Sequence, residues 1–187
     1  MISKELSEFL QVVGRLKTVR RSGWTSQVGI DEPESVADHS FRCAVIAMCI
    51  CNLTDVEIGK LVPMLLLHDI QEVVTGDFDS LKKKELGVLR VEALEKTAIK
   101  NILSLLPIEL REQYLLLWDE FKAQNTPEAI LANDIDKIEM VLQALEYEEK
   151  GWTPNKLEVF WVSAEREIKT PKIRDLFLIL KEKRLRQ

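Results

Sequence analysis

Glycine and proline are scarce in this chain of 187 residues, at 7 and 6, and aromatic residues make up only 6%. A fold of many short strands needs turn chemistry at regular intervals, so that scarcity argues against an all-β protein. Histidine is scarcer still: His39 and His68 are the whole complement. A site built on imidazole therefore commits both. The 3 cysteines are an odd number without a Cys-x-x-Cys spacing, which excludes a zinc ribbon. Cys43, Cys49 and Cys51 share one apolar run and are expected to be buried thiols in a reducing cytoplasm. That run is far too short to span a membrane, and Met1-Ile2-Ser3-Lys4-Glu5-Leu6 has no signal-peptide core. A cytoplasmic protein without a membrane partner is expected. Positive charge is not in excess either. The net charge of -5 argues against a general binder of nucleic-acid polymers, whose affinity comes from clustered Lys and Arg.

What is present reads as helix. The 46% hydrophobic and 30% charged residues fit an ordinary globular protein, expected to be one domain over 1–187 with its core in about 5–150. Apolar spacing predicts a helix over 2–18 and an irregular connection over 19–34, where Gly23, Gly29 and Pro33 fall. Ser35, boxed with Asp38, is expected to cap a helix running to about Leu53. The sequence Thr54-Asp55-Val56-Glu57 predicts a second box opening the helix that carries His68. A loop near 75–81 and a long charged helix over 82–105 follow. Pro107 and Thr126-Pro127 fit helix starts, and Leu131, Ile135, Ile138, Leu142 and Leu145 form a stripe after the second. Gly151 and Pro154 break the chain before C-terminal helices at about 155–184. The predicted class is all-α.

The stretch Leu65-Leu66-Leu67-His68-Asp69-Ile70-Gln71-Glu72 places an imidazole and a carboxylate side by side at the end of an apolar run. Each needs a compensating partner if buried, and a divalent metal is one. His39 shares a helix face with Cys43, Ile46 and Ile50 and so points into the core. Asp136 lies among Ala129, Ala132, Met140 and Ala144 on a packing face, a place for either a ligand or a salt bridge with a nearby Lys. Asp134 falls nearer the polar face. Glu72, one turn after His68 and Asp69, is placed to hold a water or take its proton. Asp77, after Gly76, fits either an acid for a leaving group or a loop cap. Arg15, Lys17, Arg20 and Arg21 occupy a segment without acidic residues, a local patch able to take a phosphate or simply a solvated helix end. Trp24 fits a stacking residue or a core plug, Lys82-Lys83-Lys84 stays open, and Phe160, Trp161 and Phe177 fit a partner surface or core.

With His39, His68-Asp69 and Asp136 in that order on helical elements, the chain resembles the HD-domain metal phosphohydrolases. It is most similar to their 5′-deoxynucleotidase branch. The matching stretches are Arg21-Ser22-Gly23-Trp24, Glu34 to Ser40, His68 to Glu72, Gly76-Asp77 and Asp136 to Met140. The resemblance implies an all-helical HD fold in which His39, His68, Asp69 and Asp136 bind one divalent metal, cobalt, manganese or similar. It implies that Glu72 and Asp77 handle water and proton transfer, that Arg21 holds phosphate and that Trp24 presses on the sugar. The implied activity is hydrolysis of deoxynucleoside 5′-monophosphates by a homodimer. Ser22 and Gly23 separate Arg21 from Trp24, which leaves Arg20 as an alternative phosphate ligand. The alternatives are another phosphoester (cyclic nucleotide, nucleoside triphosphate or ribonucleotide) and a non-catalytic nucleotide-binding helical protein.

Overall fold

A computed structural model describes residues 4–186. In chain order the helices are α1 (Lys4–Gly14), α2 (Ser22–Val28), α3 (Val36–Ile50), α4 (Ile58–Leu67), α5 (Glu72–Thr75) and α6 (Ser80–Leu86). They continue with α7 (Val88–Leu103), α8 (Ile108–Ala123), α9 (Pro127–Glu149), α10 (Pro154–Glu167) and α11 (Pro171–Leu185). Among the described residues there is no strand, only an isolated antiparallel bridge between Arg20 and Ser35. The all-α prediction holds.

The chain divides into two compact units. The first comprises Met1–Ser40 and Leu66–Asp119. Its core joins Phe9 and Leu16 to Val36, Leu67 and Ile70, then to Ile99, Ile102, Leu103, Leu106 and Trp118. On α7, Val91, Ala98, Ile99 and Ile102 recur at helical spacing, which gives that otherwise charged helix one buried face. The predicted break-free helix over 82–105 is in fact two, because Gly87 adopts φ 80 and ends α6. Only glycine takes that conformation without steric cost. The predicted first helix is shorter as well: after α1 the chain tightens into a 3-10 turn, Arg15–Thr18. The expected start at residue 2 lies outside the described residues.

The connection predicted over 19–34 contains α2, which periodicity misses because it is only 7 residues long. Two local devices hold it. Gly29 at φ 89 closes its C-terminus, and the Asp77 carboxylate accepts from Ser22 N at 2.6 Å at its N-terminus. The Ser35–Asp38 box forms as predicted: Ser35 N donates to Asp38 Oδ2 at 2.9 Å, and Asp38 N donates to Ser35 Oγ at 3.2 Å. The Thr54–Glu57 box does not. Thr54 Oγ1 donates back to Cys51 O at 3.0 Å, closing a turn, and α4 starts only at Ile58.

The second unit comprises Phe41–Leu65 and Glu120–Gln187. Its central element is α9, opened by Thr126, whose side chain accepts from Ala129 N, with Pro127 in the first turn. Leu131, Ile135, Ile138 and Leu145 are buried along it, and α10 and α11 pack against it. Phe160, Trp161 and Phe177 are all buried in that packing, so the core reading holds and the partner-surface reading falls. The cysteine expectation is corrected too: Cys43 is buried, but Cys49 is exposed and Cys51 half-buried. Asp134 is the larger correction. Instead of sitting on a polar face it is fully buried, and Oδ2 accepts from the backbone N–H of Lys169 (3.0 Å) and Thr170 (2.5 Å). It thereby satisfies donors at the start of α11, which no reading confined to the α9 stripe reveals.

Candidate metal centre

Helix α4 stops at Leu67, and His68 to Gln71 form a turn before α5 begins at Glu72. Backbone bonds from Ile70 N to Leu67 O (3.2 Å) and from Glu72 N to Asp69 O (3.0 Å) set its shape. Its far side is pinned by Gln71, whose Oε1 accepts from Trp118 Nε1 at 2.9 Å. The turn projects His68, 1% exposed, towards His39 on α3, which is fully buried. Their Nε2 atoms are 3.3 Å apart. Asp69 Oδ2 lies 3.0 Å from His68 Nε2 and 3.9 Å from His39 Nε2. Three donor atoms of metal-binding type thus converge on one point. Two imidazoles facing each other through the same ring nitrogen share at most one proton, whereas a divalent cation takes a lone pair from each and a carboxylate oxygen as well. The donor set fits a metal and leaves coordination positions for further ligands.

The charges around this point are unevenly matched. Burial pushes the Asp69 carboxyl up, but the charge and hydrogen bond of His68, then Arg21 and His39, hold it well below the usual carboxylate range. Glu72 goes the other way. It is 6% exposed, and burial raises it well above the ordinary carboxylate value, reinforced by the charges of Asp69 and Asp77 and opposed by Arg21 and Lys83. Its Oε2 is buried without a hydrogen-bond partner. A carboxyl that favours its proton, beside one that does not, is a pairing suited to proton transfer.

Of the two candidate phosphate ligands, Arg21 faces this cluster: its guanidinium lies 3.5 Å from Asp69 Oδ2 and 3.9 Å from Glu34 Oε1. Arg20 is turned away, with NH1 donating to Pro33 O at 3.1 Å. Trp24 is 1% exposed and its Nε1 donates to Glu34 at 3.0 Å, so its ring is a packed wall rather than a face open to solvent. Asp77 is drawn into the same region as a cap: Oδ2 also accepts from Ser22 Oγ at 3.0 Å, and Ser22 directly follows Arg21. The anchoring roles of Ser22 and Glu34 were not apparent from sequence, although both lie inside the motif stretches.

Asp136 belongs to the second unit, on α9, with 16% of its side chain exposed and Lys137 Nζ 3.1 Å from Oδ2. The salt-bridge alternative is therefore observed for it. One turn further on, Glu139 is fully buried and bonded to Arg42 of α3. Sequence reasoning missed that pair, though an Arg within an apolar helix and the acidic and amide spacing Glu139, Gln143, Glu146 were visible signals.

A family model described as "HD domain" matches residues 13–174. The chain belongs to the HD-domain family. Within it, this HD-domain chain is 36% identical over 182 residues to "5′-deoxynucleotidase HDDC2" of Danio rerio, covering 96% of this chain and 88% of that one. Its fold is similar to that of a conserved hypothetical protein from Pyrococcus furiosus, with TM-score 0.78, 30% identity and coverage of 95% and 98% of the two chains. A predicted metal-dependent phosphohydrolase from Magnetospirillum magnetotacticum is also similar, with TM-score 0.73 and 26% identity over 97% of this chain and 92% of that one.

Proposed function

We propose that this HD-domain protein is a metal-dependent 5′-deoxynucleotidase that hydrolyses deoxynucleoside 5′-monophosphates to deoxynucleoside and phosphate. The observation that carries the reading is the convergence of His39, His68 and Asp69 on one point with the Arg21 guanidinium beside it. The similarity to the Danio rerio 5′-deoxynucleotidase supports the substrate class. Asp136 is the fourth ligand in this reading, giving up Lys137, which keeps Glu167 as a partner 3.5 Å away. A divalent cation at this point, cobalt, manganese or a similar ion, supplies positive charge for a phosphate oxygen and makes a water more acidic.

The remaining chemistry falls to side chains. Arg21 holds two phosphate oxygens through its planar fork and offsets charge as the P–O bond breaks. Glu72, ionised once a cation offsets the Asp69 charge beside it, orients the attacking water and accepts its proton as the new P–O bond forms. Asp77 acts as the acid: the carboxyl oxygen that does not bond Ser22 gives its proton to the departing 5′-oxygen, and the carboxylate left behind is reprotonated from water. Trp24 walls the sugar side, where a 2′-hydroxyl would need room. The protein works in the cytoplasm as a homodimer in this reading, and light scattering on the purified chain tests the assembly directly. For the activity, phosphate release from dAMP, AMP and dATP is compared with and without added Mn²⁺ or Co²⁺. Metal-dependent release from dAMP well above the other two supports the proposal. Preference for dATP or AMP would move it to another phosphoester.

A further inference from the structure

Arg42 sits on α3 one turn after His39, and Glu139 sits on α9 one turn after Asp136. Within the second unit the two helices are tied at these residues. Arg42 Nε donates to Glu139 Oε1 at 2.8 Å, NH2 donates to Gln143 Oε1 at 2.6 Å, and NH1 pairs with Glu146. Glu139, Gln143 and Glu146 follow at i, i+4 and i+7, so one guanidinium spans two turns of α9. Glu139 is fully buried and Gln143 is 6% exposed. A buried carboxylate is tolerated only when its partner is held in good geometry, and the rigid fork of Arg supplies several directed bonds that a Lys ammonium does not reproduce. Such a multi-point contact fixes both the rotation and the axial register of α3 against α9.

We infer that Arg42 and Glu139 are positioning residues that aim His39 and Asp136, each one turn away on its own helix, at the metal. This rests on the proposed reading of those two residues as ligands. Neither Arg42 nor Glu139 belongs to the ligand set of that reading, and Glu139 Oε1 is taken by Arg42 Nε. Its effect is expected in metal affinity: a ligand swung by a fraction of an ångström loses bond geometry even though the fold persists.

The test is Mn²⁺ titration calorimetry on chelator-treated protein, alongside phosphate release from dAMP. Four chains are compared: the parent, Arg42→Lys, the double variant Arg42→Met/Glu139→Met, and Lys60→Met. Lys60→Met removes another half-buried ion pair of the same unit, with Glu120 and Glu128. Arg42→Lys and the double variant are expected to bind Mn²⁺ roughly tenfold or more weakly. Turnover by Arg42→Lys should recover as Mn²⁺ is raised, with KM for dAMP within about twofold of the parent at saturating metal. Lys60→Met should lower Tm and leave Mn²⁺ affinity unchanged. Parent-like affinity in Arg42→Lys overturns the inference, as does an equal loss in Lys60→Met, which would mean general loosening. Should the double variant fail to fold, Arg42→Lys alone decides. A parent that binds Mn²⁺ but releases no phosphate sinks the proposed function and leaves the clamp to be judged on affinity. A parent that binds no Mn²⁺ sinks both.

Discussion

Two aspartates two residues apart on α9 are expected to fail in opposite ways when removed. Asp134 is fully buried and takes two backbone N–H bonds, from Lys169 and Thr170. Hydrogen bonds to a charged group contribute about 1.5–3 kcal/mol each. Lys169 is exposed and Thr170 half-buried, so water can replace part of what Asp134→Ala removes. The expected net cost is about 2–4 kcal/mol, allowing for that replacement. For a chain of this size each kcal/mol moves Tm by roughly 2–4 °C, so the fall should be roughly 5–15 °C. Asp134→Asn keeps one acceptor and should lose about half as much. At a temperature where Asp134→Ala is still folded, its Mn²⁺ affinity should match the parent. Asp136→Asn should do the reverse, keeping the Tm of the chelated protein and losing metal and turnover together. Urea unfolding in chelator, paired with metal titration, reads both effects. If Asp134→Ala is as stable as the parent, the capping account is wrong. Metal retained by Asp136→Asn and lost by Asp134→Ala would mean the ligand has been assigned to the wrong carboxylate.

Other consequences follow from the same geometry. Arg21→Ala should raise KM for dAMP by roughly 10–100-fold, the loss of a charged hydrogen bond, while Arg20→Ala should change it little because Arg20 is bonded to Pro33 O. Gln71→Leu removes the acceptor of Trp118 Nε1 in the first core and should cost about 1–3 kcal/mol in denaturant titrations. In Glu128, burial raises the carboxyl, but backbone hydrogen bonds and Lys60 hold it below its ordinary value overall. With the folded value depressed, its contribution is complete above the unfolded value of about 4.3 and is lost as pH falls through the lower folded value. Glu128→Gln should therefore flatten the fall in stability below about pH 4 relative to the parent, measured by urea midpoints across that range.

Helical class was legible because it depends on spacing repeated over many residues: the Thr126-Pro127 start survives, and the α9 stripe is buried at Leu131, Ile135, Ile138 and Leu145, with Leu142 half-buried at its edge. The boundaries that failed were those set by single residues in competition. Thr54 has the makings of a cap, yet its hydroxyl finds Cys51 O first. Gly87 sits inside an apparently continuous charged pattern, and its positive φ is invisible to periodicity. The short helix α2 depends on Asp77, 55 positions away from Ser22, a dependence no local window contains. The meeting of the two histidines was legible for a different reason. With two histidines in the chain, both had to be accounted for, and each is buried at the same point. Asp134 was misplaced because helical spacing gives a residue's angle on its own helix but says nothing of what later segments cover it. The Lys169-Thr170 backbone does so here. Arg42 and Glu139 were overlooked for the same reason, as each is explained only by the other.

The most direct measurement is phosphate release from dAMP by protein stripped with a chelator and then reloaded with Mn²⁺ or Co²⁺. Turnover should vanish on stripping, return with the metal in the parent, and stay absent in His68→Ala at every metal concentration that the parent needs. Release that persists undiminished after stripping, or full recovery in His68→Ala, would contradict the idea that the paired histidines and Asp69 hold the ion on which hydrolysis depends.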